Sequence, residues 1–143
     1  MKTATAKRFE DLRVWQSGRE LAKQIYALTS NSAFSKDTAL REQMRRGAIS
    51  VMLNIAEGFA RGTDKDFRHF LIHAHGSIAE LQSALYIALD QRYIAQAEFD
   101  DIYGSLESLS KMILAFAKYL GSSNSRRLVS DSRPSTLDSK TKP

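Results

Sequence analysis

The chain carries no proline before position 134. Proline removes a backbone donor, and its ring collides with the preceding helical turn. A proline-free run of 133 residues therefore leaves long helices open to this chain, and the hydrophobic spacing uses them. From about Glu10 to Thr29, the residues Val14, Gly18, Leu21, Ile25 and Leu28 recur at steps of four and three. Ser30-Asn31-Ser32 is a polar break. A second helix is expected from about Asp37 to Ala60, with Ser35 as N-cap and with Gly58 and Gly62 marking its end. A third starts at Thr63, which pairs with Asp66 as a capping box, and carries Phe67, Leu71, Ala74, Ile78, Leu81, Leu85 and Ala88 in strict heptad. A fourth, from about Gln96 to Leu120, repeats the heptad through Phe99, Ile102, Leu106, Leu109, Ile113, Phe116 and Leu120, with Gly121 as its C-cap. No stretch alternates as a strand does. Four helices with short links predict an all-α fold, an antiparallel up-and-down four-helix bundle. The 3.5-residue repeat predicts a left-handed twist with crossings near ~20°.

A chain of 143 residues is the size of one domain around one core. It has no cysteine, which excludes a disulfide framework, a thiolate metal site and a cysteine nucleophile, and which fits a reducing cytoplasm. No apolar run reaches the ~18 residues of a membrane span, and the basic start, Met1 to Arg8, lacks the apolar stretch of a signal peptide. The net charge of +5 is unevenly placed. Residues 1–8 carry +3, residues 122–143 carry +3, and residues 9–121 carry −1. The reading is thus a basic N-terminal arm over 1–8, a bundle over 9–121 and a disordered basic tail over 122–143. Any argument from charge to nucleic acid concerns the two ends first.

The second helix has more apolar surface than one seam needs. Leu40, Met44, Val51 and Ile55 line one stripe, while Ile49, Met52, Leu53, Ala56 and Phe59 spread well beyond it. A helix apolar most of the way round is buried on more than one side, which predicts self-association. Its first half also bears Arg41, Arg45 and Arg46, the candidate phosphate contacts. Against them stands local neutralisation, since Asp37 precedes Arg41 and Glu42 precedes Arg46 by the favourable four residues. The same order joins Glu57 to Arg61, Asp64 to Arg68 and Glu107 to Lys111, and of the three clustered arginines only Arg45 has no such acid. Arg45→Glu is thus expected to weaken RNA binding without unfolding. Late in that helix Asn54 and Glu57 lie three apart among apolar residues. They are read as a hydrogen-bonded pin that sets the register against the third helix, where Gly76-Ser77 allows close approach and where Ser77 or Arg61 satisfies Glu57. A polar site is the alternative.

Asp66, His69 and His73 share a helix face with metal-ligand spacing. All three histidines of the chain lie on this one helix, and no other helix supplies a matching pair, so a solvated or interfacial pair is the preferred reading. No serine sits in a strand–turn–helix elbow, and Gly58-Phe59-Ala60-Arg61-Gly62 lacks a phosphate-loop lysine. The chain is read as a non-enzyme without catalytic residues, cofactor or metal.

These residues resemble a known family, the 23S rRNA intervening-sequence proteins. The matching elements are Phe9, Leu12, Val14 and Trp15, then Gln43, Arg45-Arg46, Ser50, Asn54-Ile55-Ala56-Glu57-Gly58 and Arg61. Phe67, Ala74, Gly76-Ser77 and Glu80-Leu81 follow, and the likeness covers about residues 9–120. It implies an all-helical up-and-down bundle, often assembled as a homopentameric barrel, with no established catalytic residue. A related branch, the accessory variability proteins of diversity-generating retroelements, forms basic pentamers that bind nucleic acid, whereas the body of this chain is nearly neutral. The expectation is a cytoplasmic homo-oligomer, a pentamer by resemblance, that associates with RNA or a ribonucleoprotein and not with a membrane. The alternative is a protein-binding scaffold that never touches nucleic acid.

Overall fold

Each long helix starts where a short polar side chain, or the turn before it, can satisfy free amides. A computed structural model describes residues 6–122. Helix α1 spans Arg13–Leu28, α2 Ser32–Ser35, α3 Thr38–Arg61, α4 Asp64–Asp90 and α5 Gln96–Leu120. A 3-10 turn at Phe9–Asp11 precedes α1, and Asp11 holds it by accepting from the Lys7 and Arg8 amides at 3.0 and 3.1 Å. Asp37 caps α3 by accepting from the Leu40 amide at 3.1 Å, and Thr63 caps α4 by accepting from the Asp66 amide at 3.2 Å. At α5 the Glu98 carboxylate reaches back to the Ala95 amide at 2.8 Å. The described residues contain no strand and form the expected antiparallel bundle. The expected basic arm and tail lie in part outside the described residues, at 1–5 and 123–143.

Two boundary expectations are corrected. Ser35 does not cap the long second helix, because it belongs to the short α2, which Asn31 caps at 2.8 Å from the Phe34 amide. The polar run 30–32 hid this turn because a single helical turn has no period to read. Gly58 does not end α3. It lies buried inside the helix, and Gly62 makes the stop in the left-handed region at φ +91°.

The α4–α5 turn closes without glycine. Arg92 takes φ +62°, the Tyr93 amide donates to the Ala88 carbonyl at 2.9 Å, and the Arg92 amide donates to Leu89 at 3.0 Å. That pair of bonds is a Schellman closure. Tyr93 then ties this end of the bundle together. Its hydroxyl donates to Asp37 at 3.0 Å, its carbonyl accepts from Asn31, and its ring lies 5.2 Å from that of the fully buried Phe34. The Asp37 hydrogen bond, with a smaller contribution from burial, holds the Tyr93 phenol above its usual pKa range.

The core follows the heptads, with Met44, Ile55, Phe67, Leu71, Ile78 and Leu106 all fully buried. At the opposite end Phe59, Phe67 and Phe116 form a chain of edge-to-face rings at 5.9 and 5.1 Å that joins α3, α4 and α5. Helices α3 and α4 make the most extensive contact of the bundle. Glycines set their separation: a Cβ at Gly47 would lie 3.0 Å from Leu81 Cγ. One at Gly58 would lie 2.8 Å from Phe70 Cβ and 3.3 Å from the Phe67 carbonyl oxygen. Gly76, expected to permit the close approach, faces open space with nothing within 4 Å. The two glycines should therefore respond oppositely to alanine. Gly58→Ala should cost about 1–3 kcal/mol by forcing the helices apart. Gly76→Ala should add about 0.5–1 kcal/mol by reducing the backbone freedom of the unfolded chain. Urea unfolding of both variants checks this.

Candidate nucleic-acid interface

Helix α3 brings the three candidate arginines onto its first turns, but their side chains do different things. The Arg45 guanidinium folds over the C-terminus of α1. Its Nε donates to Thr29 Oγ1 at 2.8 Å, and one terminal nitrogen donates to Ser30 Oγ at 3.0 Å and to the Tyr26 carbonyl at 3.4 Å. The same group lies 4.5 Å above the Tyr26 ring. Thr29, buried and polar, passes its own proton to the Ile25 carbonyl at 2.7 Å. A cation over exposed helical carbonyls is where the helix dipole favours it. Arg45 therefore lacks an acid at i−4 because its partners are on another helix.

Arg41 behaves similarly. It donates to the Ser35 carbonyl at 2.6 Å, fastening α2 to α3, and reaches Glu42 at 3.4 Å, while its Nε is buried without a hydrogen bond. The expected Asp37–Arg41 pairing gives way, since Asp37 serves the Leu40 amide and Tyr93 instead. Arg46 alone of the three is exposed, with no hydrogen bond or ion pair among the described residues.

A polar relay joins α3 to α4 through Asn54, and the expected part of Glu57 in it does not form. Asn54 Nδ2 donates to the Ser50 carbonyl at 2.8 Å and to Ser50 Oγ at 3.0 Å. Ser50 Oγ lies 2.8 Å from Ser77 Oγ on α4, and Ser77 Oγ donates to the His73 carbonyl at 3.3 Å. One proton order satisfies the whole chain: Asn54 to Ser50, Ser50 to Ser77, Ser77 to His73. Glu57 is not part of it. Glu57 is exposed and pairs with Arg61 at 3.0 Å, and Arg61 in turn lies 4.9 Å above the Phe70 ring. Position 57 falls a quarter-turn past the α4-facing line that runs through Gly47, Ser50, Asn54 and Gly58. That stripe of small and polar residues at steps of three and four was the missed signal. Glu80 is exposed on α4.

His69 and His73 are exposed with rings 4.6 Å apart. Among the described residues no three histidine or acidic side chains converge as a metal site would require.

Positive charge gathers elsewhere. The start of α1, the end of α3, the start of α4 and the end of α5 share one pole of the antiparallel bundle. There Arg13, Arg61, Lys65, Arg68 and Lys118 are exposed, and both basic ends of the chain leave from it. Asp64, Asp66 and Glu57 lie among them. At the other pole Asp90, Glu98, Asp100 and Asp101 are exposed beside Lys36, Arg46 and Arg92. Two large apolar side chains remain in solvent on α3, Ile49 at 40% and Leu53 at 63%, while Phe59 from the same surplus set turns into the core. Among the described residues no helix is long and apolar enough to cross a membrane.

Comparison with known proteins agrees with this architecture. The family model for the 23S rRNA-intervening sequence protein matches residues 10–115. The chain belongs to that family. Its fold also matches a crystal structure from Bacteroides thetaiotaomicron VPI-5482, a protein of unknown function from the S23 ribosomal protein family. That chain is 22% identical, with a TM-score of 0.67 over 73% of this chain and 98% of its own. No curated protein matches. The family match covers most of the bundle and leaves both basic ends outside it.

Stability measurements separate the two kinds of polar residue. Ser50→Ala and Ser77→Ala should each destabilise, with a coupling of about 1 kcal/mol in a double-mutant cycle. Glu57→Ala should stay within about 0.5 kcal/mol of the parent, since its ion pair is exposed. Arg45→Ala should cost about 1–3 kcal/mol by stranding the α1 carbonyls and Thr29, and Arg46→Ala should leave the melting temperature unchanged. Any loss of RNA binding in an Arg45 variant is to be read against that loss of stability.

Proposed function

We infer that the protein is a non-catalytic, homo-oligomeric bundle of the cytoplasm that associates with RNA or a ribonucleoprotein through its basic pole. The observation that supports this is the placement of charge. Arg61, Lys65, Arg68 and Lys118 stand exposed where both basic ends of the chain emerge. Phosphate contacts of this kind give affinity and orientation without reading sequence. Arg41 and Arg45 act as struts, and the exposed Arg46 lies toward the opposite pole. Repetition around a ring, of five copies as the family resemblance implies, multiplies a weakly positive pole into a continuous field. The exposed Ile49 and Leu53 support self-association, and they equally support the second reading, a protein-binding scaffold with no nucleic-acid contact.

Fluorescence anisotropy of a labelled structured RNA, titrated with the full chain across salt concentrations, decides between them. The RNA reading expects affinity to fall steeply with salt. Lys65→Glu with Arg68→Glu should lower the slope of log affinity against log salt by about two, with unchanged melting temperature. No binding at low salt, or binding indifferent to salt and to these variants, selects the scaffold.

A further inference from the structure

The bundle is not closed all the way round. Helix α1 contacts α5 over a shorter stretch than α3 contacts α4, and a groove of about 590 Å³ lies between α1 and α5. Leu21, Leu109 and Met112 line its floor, and Glu20, Asp100 and Asp101 line its acidic wall. Gly104, midway along it, has nothing within 4 Å of where a Cβ would stand, so the groove is open to an incoming backbone.

We propose that this groove receives the basic C-terminal segment of the same chain, residues 123–143. Charge is the first argument. The segment bears Arg126, Arg127, Arg133, Lys140 and Lys142 against Asp131 and Asp138, a net +3. The groove offers three carboxylates with little competition. Glu20 meets only an exposed Lys23 at 3.9 Å, Asp100 accepts from Gln96, and Asp101 has no partner among the described residues. An RNA phosphate would be repelled by the same wall.

Reach is the second argument. The segment continues directly from Ser122, just past the end of α5, one wall of the groove. From Leu120 back to Asp101 the helix axis rises about 28 Å at ~1.5 Å per residue. An extended chain covers that in roughly nine residues at ~3.3 Å each. Allowing about two residues to reverse direction, Arg133 arrives beside Asp101. On the same count Leu128 and Val129, an apolar pair within the segment, come level with Leu109 and Met112. Charge and apolar contact thus agree on one register.

Docked, the segment holds its cations away from the basic pole; released, it adds them to that pole. This consequence rests on the RNA reading, but the docking itself does not. The absence of native cysteine makes it directly testable in the full chain. Ser108→Cys with Ser130→Cys places one thiol in the groove and one in the segment. Gly76→Cys with Ser130→Cys is the control, since position 76 on α4 is exposed and about equally far, ~18 Å, from the pole at which the segment begins. The proposal expects the groove pair to form an intrachain disulfide at least about tenfold faster than the control. Asp100→Lys with Asp101→Lys should abolish the difference. Equal rates for the two pairs overturn it. So does a groove disulfide found only between chains in mixtures of isotopically labelled and unlabelled protein, which would assign the groove to a second copy. In a separate arm, Asp100→Asn with Asp101→Asn should tighten RNA binding several-fold. If no RNA binds either protein while the groove pair still closes, the RNA reading fails and the docking stands.

Discussion

The close approach of α3 and α4 is the constraint on which the rest of the bundle depends. Gly47 and Gly58 let the backbones meet, and Leu81 and Phe67 occupy the space their side chains would have filled. Between the glycines, Asn54, Ser50 and Ser77 hydrogen-bond across the seam. Small residues and a satisfied polar relay do complementary work. The first sets the distance, and the second penalises any axial slip that would strand a half-buried hydroxyl or amide. With this pair in register, Phe59 and Phe116 both pack edge-to-face with the Phe67 ring, and α5 is positioned through α4.

Helix α1 is attached by other means. It contributes Leu21 and Ile25 to the core, and its C-terminus is gripped by Arg45. One guanidinium satisfies a buried threonine hydroxyl, a serine hydroxyl and a terminal carbonyl, and stacks on Tyr26 besides. Arginine suits this work because its planar fork presents several donors at once and never loses its charge. The same economy appears at Arg41 and α2. Cations that look like ligand contacts in a linear reading are here the means of fastening helix ends. Of the three only Arg46 is left in solvent, and further exposed cations gather at the opposite pole.

That division gives the molecule a polarity that its near-neutral body conceals. The bundle has a basic pole, a pole of mixed charge and an incompletely closed α1–α5 side whose acidic residues start toward that second pole. A neutral sum over residues 9–121 is compatible with strong local fields, because charges about 30 Å apart are screened from one another by physiological salt. Membership in the 23S rRNA-intervening sequence protein family accounts for the bundle.

By itself the sequence determined the helices, their antiparallel order and the core. These follow from periodicity and capping, which act over a few residues and are written in local spacing: the heptad of α4 lands buried as read, that of α5 does so except at the half-buried Phe116, and Thr63 and Gly62 cap and stop their helices. Side-chain partnership is a different matter. Arg45 and Thr29 are sixteen residues apart, Ser50 and Ser77 twenty-seven, Asp37 and Tyr93 fifty-six. Only the packed bundle decided that Asn54 belongs to the relay and Glu57 does not, because a hundred degrees of helical rotation separates a residue facing α4 from one facing water. The glycines divide in the same way. Gly58 inside a helix and Gly76 inside a helix look alike in one dimension, and what makes one indispensable is the Phe70 side chain and the Phe67 carbonyl that stand against it.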